Sequence, residues 1–515
     1  MHESNSVPPT LSPETWDVVV IGGALAGSSA AWLLKQNNPE LRILVIEKST
    51  AFKRRVGEAT VEVSSYFLTR VLGVQEHLMK EHVIKQGLRF WFSDTETKGW
   101  DDASEIGPGY NVRLSSFQVD RAKLDSYLLD RCLEQGIVIW RPARVKDVTL
   151  KDGGEQALEV ERDSGVITVR SRWVIDASGV ATLLARKNDW KVINTAHPTA
   201  AAWCRWSGVP SWDCPKLHAA APAYAKRCYG VRNTATNHLM GDGWWSWWIP
   251  LHNGDVSIGV VWDERIAQFP AGDSIADRLR THLATHPLSH RLLAEAEPVA
   301  QDSHIRRPLA YHSKRTLGDG FALVGDAAAF LDPFYSPGMD WVSFSVMMAV
   351  DVIGKERAGR SYRPELDRYA KQHQVSYQRW FDGIYRDKYY YMGDFVLMHI
   401  AFQLDFGTYN WGVASQPYKW GPSALLNAPL AGPHTAIPAY LLKTYNRRLV
   451  RIARQRKQAG TFGRHNHGRA AMLESYKFDL SLPRRVFRNF ARWGGLEVRE
   501  GWRSWGGETP AASAS

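Results

Sequence analysis

Residues 15–36 read TWDVVVIGGALAGSSAAWLLKQ. A short run of apolar, mostly β-branched residues leads into a glycine turn, and a stretch rich in Ala and Leu with a helical pattern follows. A second apolar run, LRILVIEKS, occupies 41–49. Strand, turn, helix and strand in this order predict a βαβ unit of the size found in dinucleotide-binding folds.

The glycine turn falls within the pattern G-x-G-x-x-G, whose second glycine is replaced here by Ala24, a mild intrusion of one methyl group. Such a turn, with the helix that follows it, directs backbone N–H groups at a phosphate. Glu47 ends the second strand 20 residues after Gly27, where a carboxylate can accept both hydroxyls of an adenosine ribose. The predicted dinucleotide site comprises Gly22, Gly23, Ala24, Ala26, Gly27, Glu47 and Lys48.

Three further segments indicate that the dinucleotide is FAD. The segment 115–136 is a predicted helix that contains Arg121, placed as in enzymes that brace FAD from this helix. WVIDASG is an apolar strand that ends in a glycine turn. In GFALVGDAAAFLDP, a strand is expected to bring Gly325 and Asp326 to the start of a helix. There the carboxylate can bind ribityl hydroxyls, and the helix N-terminus can face the flavin.

Length and composition limit the class of protein. With 515 residues the chain can form two or more cores, and its 22 tryptophans favour amphipathic pockets. Its four cysteines show no C-x-x-C spacing, so we expect no metal site, no disulfide framework and a reducing, cytoplasmic location. No apolar run reaches the length of a membrane span. Residues 1–14 read as a disordered leader, since they lack the pattern of a signal peptide.

The net charge of +11 is concentrated near the C-terminus, because residues 441–515 contain 16 Lys and Arg against 5 Asp and Glu. A solvated helical face is the plainest interpretation of such an excess. The alternatives are an acidic partner surface, such as a carrier protein, or weak membrane association. No nucleic-acid-binding motif accompanies the basic residues, so nucleic acid is not expected as a partner.

The stretch GWWSWWIPL, at 243–251, has four tryptophans within five positions. As a strand it places Trp245, Trp247 and Ile249 on one face and the other indoles on the opposite face, with Pro250 at its end. The pattern W-x-W-x-I-P resembles that of the flavin-dependent halogenases, the tryptophan-halogenase-like branch of the FAD-dependent monooxygenase superfamily. In that family the motif lies beside the flavin and keeps organic substrates away from it, which implies a pocket role for these four residues. Ordinary core packing is the alternative.

Two other segments carry the same resemblance. RRVGEATVEVSSYFL is similar to the family segment V-G-E-[AS]-T-x-P, which implies that Gly57 and Glu58 lie near the flavin, and Glu62 stands where proline is expected. IKQGLRFWF is similar to K-x-G-x-x-F-x-W, which puts Lys85 in the place of the family's essential lysine. The implied role of Lys85 is to receive hypohalous acid, either as an ammonium that polarises the halogen or as a neutral amine that forms a chloramine. Both need an enclosed lysine, whose pKa can move; a surface lysine is the alternative.

The segment LDPFYSPGMDW departs from the family's D-P-L-E-S-T-G. Ser336 and Gly338 keep their places, whereas Tyr335 replaces the glutamate and Pro337 replaces the threonine. The first change removes a carboxylate that would accept a proton, which favours a phenol, a pyrrole or a carrier-bound aromatic over free tryptophan. The second removes an amide N–H that would help to hold halide, which leaves Gly338 and the helix N-terminus at Met339. Weak halide binding, a preference for bromide or iodide, or loss of the halide function are the expected consequences.

These patterns predict an α/β fold with three parts. The first is an FAD-binding Rossmann-like (GR2-type) domain at 15–200 and 300–345. The second is an inserted mixed β-sheet domain on the substrate side, at 200–300, which contains the W-x-W-x-I-P strand. The third is a mostly helical C-terminal region at 346–515, basic from 441, which caps the substrate pocket.

The function implied by the resemblance is a halogenase that uses reduced FAD, O2 and a halide ion. Lys85, Tyr335 and Ser336 are its candidate catalytic residues, and Pro337 and Gly338 form its candidate halide site. Its implied partners are a phenol, pyrrole or indole substrate, free or tethered to a carrier protein, a second copy of the chain, and a separate flavin reductase, since no second G-x-G-x-x-G is present for a nicotinamide. Two alternatives stay open: an FAD-dependent aromatic monooxygenase or dehydrogenase, and a non-catalytic FAD-binding interaction protein.

Overall fold

The computed structural model of the protein describes residues 15–114, 116–474 and 481–504. The leader predicted at 1–14 lies outside the described residues. The strands are β1 (Trp16–Ile21), β2 (Ile43–Ile46), β3 (Val83–Lys85), β4 (Leu88–Phe92), β5 (Ser104–Pro108), β6 (Ser116–Gln118), β7 (Val138–Trp140), β8 (Arg144–Thr149), β9 (Gln156–Arg162), β10 (Gly165–Asp176), β11 (Lys191–Ile193), β12 (Thr199–Ser207), β13 (Thr236–Gly241), β14 (Trp244–Pro250), β15 (Val256–Asp263), β16 (Glu297–Arg306), β17 (Tyr311–Ser313), β18 (Leu317–Gly318), β19 (Phe321–Leu323), β20 (Ala329–Phe330) and β21 (Ala470–Leu473).

The α-helices are distributed along the whole chain, and the longest follow residue 337. They are α1 (Leu25–Asn37), α2 (Glu62–Tyr66), α3 (Gln75–Glu81), α4 (Arg121–Glu134), α5 (Leu183–Lys187), α6 (Pro215–Ala220), α7 (Pro222–Lys226), α8 (Ile275–Leu283), α9 (Pro287–Leu292), α10 (Gly338–Arg357), α11 (Arg363–Trp380), α12 (Phe395–Tyr409), α13 (Ser415–Trp420), α14 (Ala436–Gln458) and α15 (Ser481–Arg499). None of the described helices is long and apolar enough for a membrane span.

The first sheet has the strand order β18-β19-β10-β1-β2-β7. β19, β10, β1, β2 and β7 are parallel, and β9 and β8 continue from β10 as antiparallel strands. Val18, Val19 and Val20 in β1 are fully buried, as expected for a central parallel strand that is covered on both faces. α1 connects β1 to β2, which confirms the predicted βαβ unit and the α/β fold class.

The second sheet has the order β16-β12-β15-β14-β13-β4-β5-β21. It is mixed, because most neighbours are antiparallel while β13 pairs with β4, and β21 with β5, in parallel. The prediction confined this sheet to 200–300, but β4, β5 and β21 lie outside that range. Those boundaries were wrong because strands from three distant parts of the chain join one sheet, which local sequence does not reveal.

Two predicted helices differ from the structure. The segment 115–136 contains the short strand β6, and its helix α4 starts at Arg121, where the Asp120 side chain caps the N-terminus. Gly325 and Asp326 form a single 3₁₀ turn instead of the start of a long helix. The chain then pairs with β17 through β20, and the long helix α10 begins only at Gly338, after Pro333 and Pro337 have interrupted any helical continuation.

Candidate active site

The turn between β1 and α1 leaves backbone amides available to a ligand. In the described part of the chain, no acceptor takes the N–H groups of Ala24 and Ala26, and α1, 13 residues long, has no side-chain cap. The neighbouring amide of Gly23 donates to the carboxylate of Glu47 at 2.8 Å. Unpaired amides at the N-terminus of a helix of this length are suited to a phosphate group.

Two glycines of this turn are required by close packing. A Cβ atom at Gly27 would lie 1.8 Å from the carbonyl oxygen of Gly22, so the helix passes directly over the turn. Gly22 has a φ of +98°, and a Cβ atom there would lie 2.6 Å from the carbonyl oxygen of Ala177. Ala177 belongs to the WVIDASG segment, so that segment and the glycine turn are in contact.

Helix α4 also reaches the turn. Asp125 accepts the N–H of Leu25 at 3.0 Å and binds the guanidinium of Arg121 at 3.1 Å. Arg121 in turn lies beside Gly57, where a Cβ atom would be 2.8 Å from a guanidinium nitrogen. Lys48, directly after Glu47, is exposed. The geometry therefore brings Arg121 and Gly57 to the glycine turn and leaves Lys48 at the protein surface.

The 3₁₀ turn after β19 also lies against the start of α1. Gly325 has a φ of +57°, and a Cβ atom built there would lie 3.6 Å from the Cβ atom of Ala26. Asp326 follows, and burial raises the pKa of its carboxyl group while the charges of Arg306 and Arg121 oppose that rise. A carboxylate thus lies on a turn that packs against the start of α1.

These residues fit a flavin dinucleotide. The amides of Ala24 and Ala26 offer donors for a pyrophosphate, the carboxylate of Glu47 offers an acceptor for a ribose, and Asp326 offers an acceptor for further hydroxyl groups. Across the described ranges, no cluster of His, Cys, Asp or Glu side chains could hold a metal ion. The four cysteines are free.

The side chain of Glu58 binds an arginine of the second sheet. Its carboxylate binds the guanidinium of Arg205 on β12, with 2.9 Å between Oε1 and Nε. Arg205 also binds Asp302 at 2.8 Å. Burial raises the pKa of Glu58, and the charge of Arg205 opposes that rise. Glu58 therefore ties its segment to the second sheet.

The tryptophan-rich strand β14 alternates as predicted. Trp245, Trp247 and Ile249 pack into the large core that includes α1 and α10, whereas Trp248 packs into a separate core with α8 and α9. β14 ends at Pro250, again as predicted. The strand lies in the middle of the second sheet, between β13 and β15. The two faces of the strand therefore pack into two different cores.

Trp245 supports the loop that follows β20. Its Nε1 donates to the hydroxyl of Tyr389 at 2.9 Å, and that hydroxyl donates to Asp332 at 2.8 Å. His197 contacts the same carboxylate, with 2.8 Å between Nε2 and Oδ2. The ring of Phe334 lies 5.0 Å from that of Trp245. Core packing and support of the loop are thus both functions of this strand.

The loop itself is strained and ends at a helix N-terminus. Tyr335 and Ser336 have φ values of +71° and +60°, a conformation that residues other than glycine rarely adopt. Pro337 then precedes α10. No described acceptor takes the N–H groups of Gly338 and Met339, and a Cβ atom at Gly338 would meet nothing within 4 Å. Two amides without a described acceptor therefore lie at the start of a 20-residue helix.

Lys85 lies at the end of β3 and is 1% exposed. Its Nζ donates to the carbonyl oxygen of Thr60 at 2.8 Å. Burial lowers the pKa of Lys85 to about 8, although the nearby carboxylates of Glu62 and Asp340 favour its charged form. The alternative of a surface lysine is therefore wrong. Glu62, which replaces the expected proline, comes close to this amine.

A small cavity borders Asp340 and the loop. Its volume is about 30 Å³, enough for about one water molecule. Burial raises the pKa of Asp340 to about 7, while hydrogen bonds from Ser64 and Tyr409 favour its ionised form. The cavity is lined by Val61, Leu88, Tyr335, Pro337, Asp340, Trp380, Ile384, Tyr385, Asp405, Phe406 and Tyr409.

Sequence reasoning missed a second buried lysine, which contacts a residue of the cavity wall. Lys388 binds Asp405 on α12, with 2.6 Å between Nζ and Oδ2, and Tyr335 donates to the same oxygen at 3.1 Å. Burial lowers the pKa of Lys388, while Asp405 opposes that change. Both residues come from the region that the motifs left unassigned. The available signal was a lysine within the aromatic run IYRDKYYYM.

The known proteins that this chain resembles in sequence are halogenases. The family model described as tryptophan halogenase matches residues 17–112 and 105–392. The flavin-dependent halogenase chlA of Dictyostelium discoideum is 29% identical over 373 residues, which cover 66% of this chain and 60% of that protein. The sulochrin halogenase gedL of Aspergillus terreus is 25% identical over 374 residues, which cover 68% of this chain and 65% of that protein. The chain thus spans 60 to 65% of the length of these curated relatives.

Solved structures share the fold at low identity. The halogenase PltM is similar with a TM-score of 0.72 and 17% identity, over 93% of this chain and 96% of that one. PltM in complex with phloroglucinol and FAD gives 0.72 and 16%, over 92% and 96%. The brominase Bmp2 gives 0.64 and 22%, over 84% and 99%.

Proposed function

The chain belongs to the tryptophan halogenase family, and from this premise we propose that it is an FAD-dependent halogenase of a phenol or another electron-rich aromatic compound. The observation that carries the proposal is Lys85. A lysine that is fully buried, with its pKa lowered to about 8, is unusual for a structural residue and suited to holding a small oxidant.

The cofactor would be held by the glycine turn of β1 and α1, by Glu47 and by Asp326. When bound, reduced FAD together with O2 and a halide ion supplies hypohalous acid. The chain's own contribution is to bind and confine that acid. The Lys85 amine hydrogen-bonds it or reacts with it in an enclosed site, because hypohalous acid is small, neutral and otherwise free to diffuse.

The halide site would be formed by Gly338 and Met339. Their two amides lack described acceptors and lie at the N-terminus of α10, where the helix dipole favours an anion. Pro337 contributes no N–H, so the site has fewer donors than the family pattern implies. We therefore expect weak halide binding and better use of bromide than of chloride.

The substrate class follows from position 335. Tyr335 offers no carboxylate to accept a proton from the ring, and a phenol, whose own oxygen stabilises the developing charge, needs that help less. The similarity to PltM, whose structure contains phloroglucinol, supports a phenol. Ser336 would lie beside the substrate, in a strained loop held by Trp245.

A second candidate, an FAD-dependent aromatic monooxygenase, is favoured by Pro337. Loss of one halide-binding amide is harmless to an enzyme that inserts oxygen alone. In that case, the tryptophans of β14 support an aromatic pocket, and Lys85 has no role in halogen transfer.

One experiment separates the two candidates. Purified protein is incubated with a flavin reductase, O2, bromide and a panel of phenols, and products are identified by mass spectrometry. The halogenase proposal predicts brominated products that disappear in Lys85→Ala and persist in the control Lys98→Ala, whose side chain is exposed. Hydroxylated products that do not depend on bromide, or full activity of Lys85→Ala, would contradict it.

Partners are proposed on separate grounds. A separate flavin reductase is expected because the chain has one dinucleotide motif. An acidic carrier protein is supported by a pocket of about 720 Å³ near α15 and β21, whose basic residues are Arg484, Arg485, Arg488 and Arg492. A homodimer stays a prediction. The free cysteines support a reducing location such as the cytoplasm.

A further inference from the structure

Only one of the two carboxylate oxygens of Asp405 accepts hydrogen bonds from described residues. Its Oδ2 accepts from Lys388 at 2.6 Å and from Tyr335 at 3.1 Å. Its Oδ1 is buried and has no hydrogen-bond partner among the residues that the structure describes. The side chains of Asp405 and Lys388 are 3% and 1% exposed, so bulk water does not satisfy that oxygen. A buried acceptor without a donor is unfavourable and calls for an explanation, and a ligand that supplies the donor is one.

Asp405 belongs to the wall of the small cavity. Most of that wall is apolar or aromatic, with Leu88, Trp380 and Phe406 among its residues. Other polar groups in the wall are already bonded, since Tyr409 donates to Asp340 at 2.8 Å and Tyr385 donates to the carbonyl oxygen of Phe334 at 2.9 Å. Among the described lining residues, the other buried atom without a partner is Nε1 of Trp380, which is a donor.

A second carboxylate of the cavity wall acts on Lys85. Asp340 lines the cavity and lies close enough to Lys85 for its charge to favour the ammonium form. An aromatic ring held at Asp405 would therefore share this cavity with Asp340, the residue whose charge acts on Lys85. The cavity now admits about one water molecule, so a ring enters only when wall side chains move.

We propose that Oδ1 of Asp405 accepts the hydrogen bond of a phenolic hydroxyl and thereby anchors the substrate. Lys388 and Tyr335 are positioning residues, because they hold the carboxylate through its other oxygen. The apolar wall receives the ring, and a charged acceptor in dry surroundings selects an aromatic O–H over an aromatic ether. This inference rests on the proposed function and names the group that the site recognises.

A pair of substrates tests the anchor without any mutation. Resorcinol and 1,3-dimethoxybenzene have similarly activated rings, but only resorcinol has O–H groups. The wild-type protein with FAD should bind resorcinol about 10- to 100-fold more tightly, the range for a hydrogen bond to a charged group, in a titration of tryptophan fluorescence. Equal affinity for the two compounds would overturn the proposal.

Variants locate the effect at one carboxylate. Asp405→Asn should reduce the resorcinol preference in kcat/KM at least 10-fold, chiefly through KM. The matched control is Asp382→Asn, since Asp382 also pairs with a lysine, Lys443 at 2.9 Å, but does not line the cavity. Circular dichroism and bound flavin check that each variant is folded. If Asp405→Asn is unfolded, the wild-type titration decides.

The possible failures are distinguishable. If the wild-type protein brominates resorcinol and dimethoxybenzene equally well, the anchor is wrong and the proposed function stands. If it brominates neither, the proposed function fails, while the binding preference for resorcinol still decides whether Asp405 anchors a hydroxyl group.

Discussion

Replacement of Lys85 by methionine should make the stability of the protein less dependent on pH. Methionine is close to lysine in shape but carries no titratable group. In the folded protein, burial lowers the pKa of Lys85 from 10.5 to about 8. The unfolded chain therefore binds a proton that the folded chain releases between these two pH values, so this lysine increases stability as the pH rises and opposes folding below pH 8.

The size of the effect follows from the pKa shift. A difference of about 2.5 pKa units corresponds to about 3 kcal/mol at about 1.4 kcal/mol per unit. Between pH 8 and 10.5 the free energy of unfolding of the wild type should thus rise by about 3 kcal/mol more than that of Lys85→Met. The variant also leaves the carbonyl oxygen of Thr60 without its donor, a loss of about 1–3 kcal/mol that does not vary with pH.

Urea denaturation at half-unit pH steps from 7 to 10.5, followed by tryptophan fluorescence, measures the difference directly. Lys98→Met serves as the control, because the Lys98 side chain is exposed, and its curve should run parallel to that of the wild type. Parallel curves for Lys85→Met and the wild type would refute the reasoning, because they would mean that Lys85 keeps an ordinary pKa. Its assignment as an enclosed, reactive amine would then lose its physical basis.

Three further changes are predicted. Pro337→Thr restores an amide N–H beside Gly338, so the KM for bromide should fall about 5- to 10-fold in steady-state bromination, and an unchanged KM would place the halide elsewhere. Asp326→Asn removes a charged acceptor and should weaken FAD binding about 10-fold in a flavin fluorescence titration; unchanged affinity would remove Asp326 from the cofactor site. Gly259→Ala puts a methyl group 2.2 Å from the ring of Trp247, so it should destabilise the protein by about 1–3 kcal/mol. Gly412→Ala is the matched control and should not destabilise the protein, because its Cβ atom meets no described atom within 4 Å. Equal melting temperatures for Gly259→Ala and the wild type would contradict the packing at Trp247.

Sequence patterns predicted those parts of the fold that depend on neighbours in the chain. The βαβ unit follows from residues within one continuous stretch, and the alternation of Trp245 and Trp247 with Trp248 follows from the geometry of a single strand. By contrast, the second sheet recruits β4 and β21 from far along the chain. Such pairing depends on tertiary contacts that have no local signature.

The site divides in the same way. Lys85 and Gly338 were predicted because each lies within a short recognisable motif, and the structure buries the first and exposes amides at the second. The contact of Glu58 with Arg205 was not predicted, since it joins residues 147 positions apart. Lys388 and Asp405 were missed for the same reason: a lysine and an aspartate on separate segments show their pairing only after folding.

Strand β21, in the C-terminal region, protects an edge of the second sheet. Residues Ala470–Leu473 pair with β5 and form the edge strand of the second sheet. A truncated chain that stopped before this strand would leave β5 with a row of bare backbone groups, which tends to recruit other molecules into aggregates. Attempts to obtain a minimal catalytic fragment should therefore keep this short segment, even though it lies far from the cofactor motifs in the sequence.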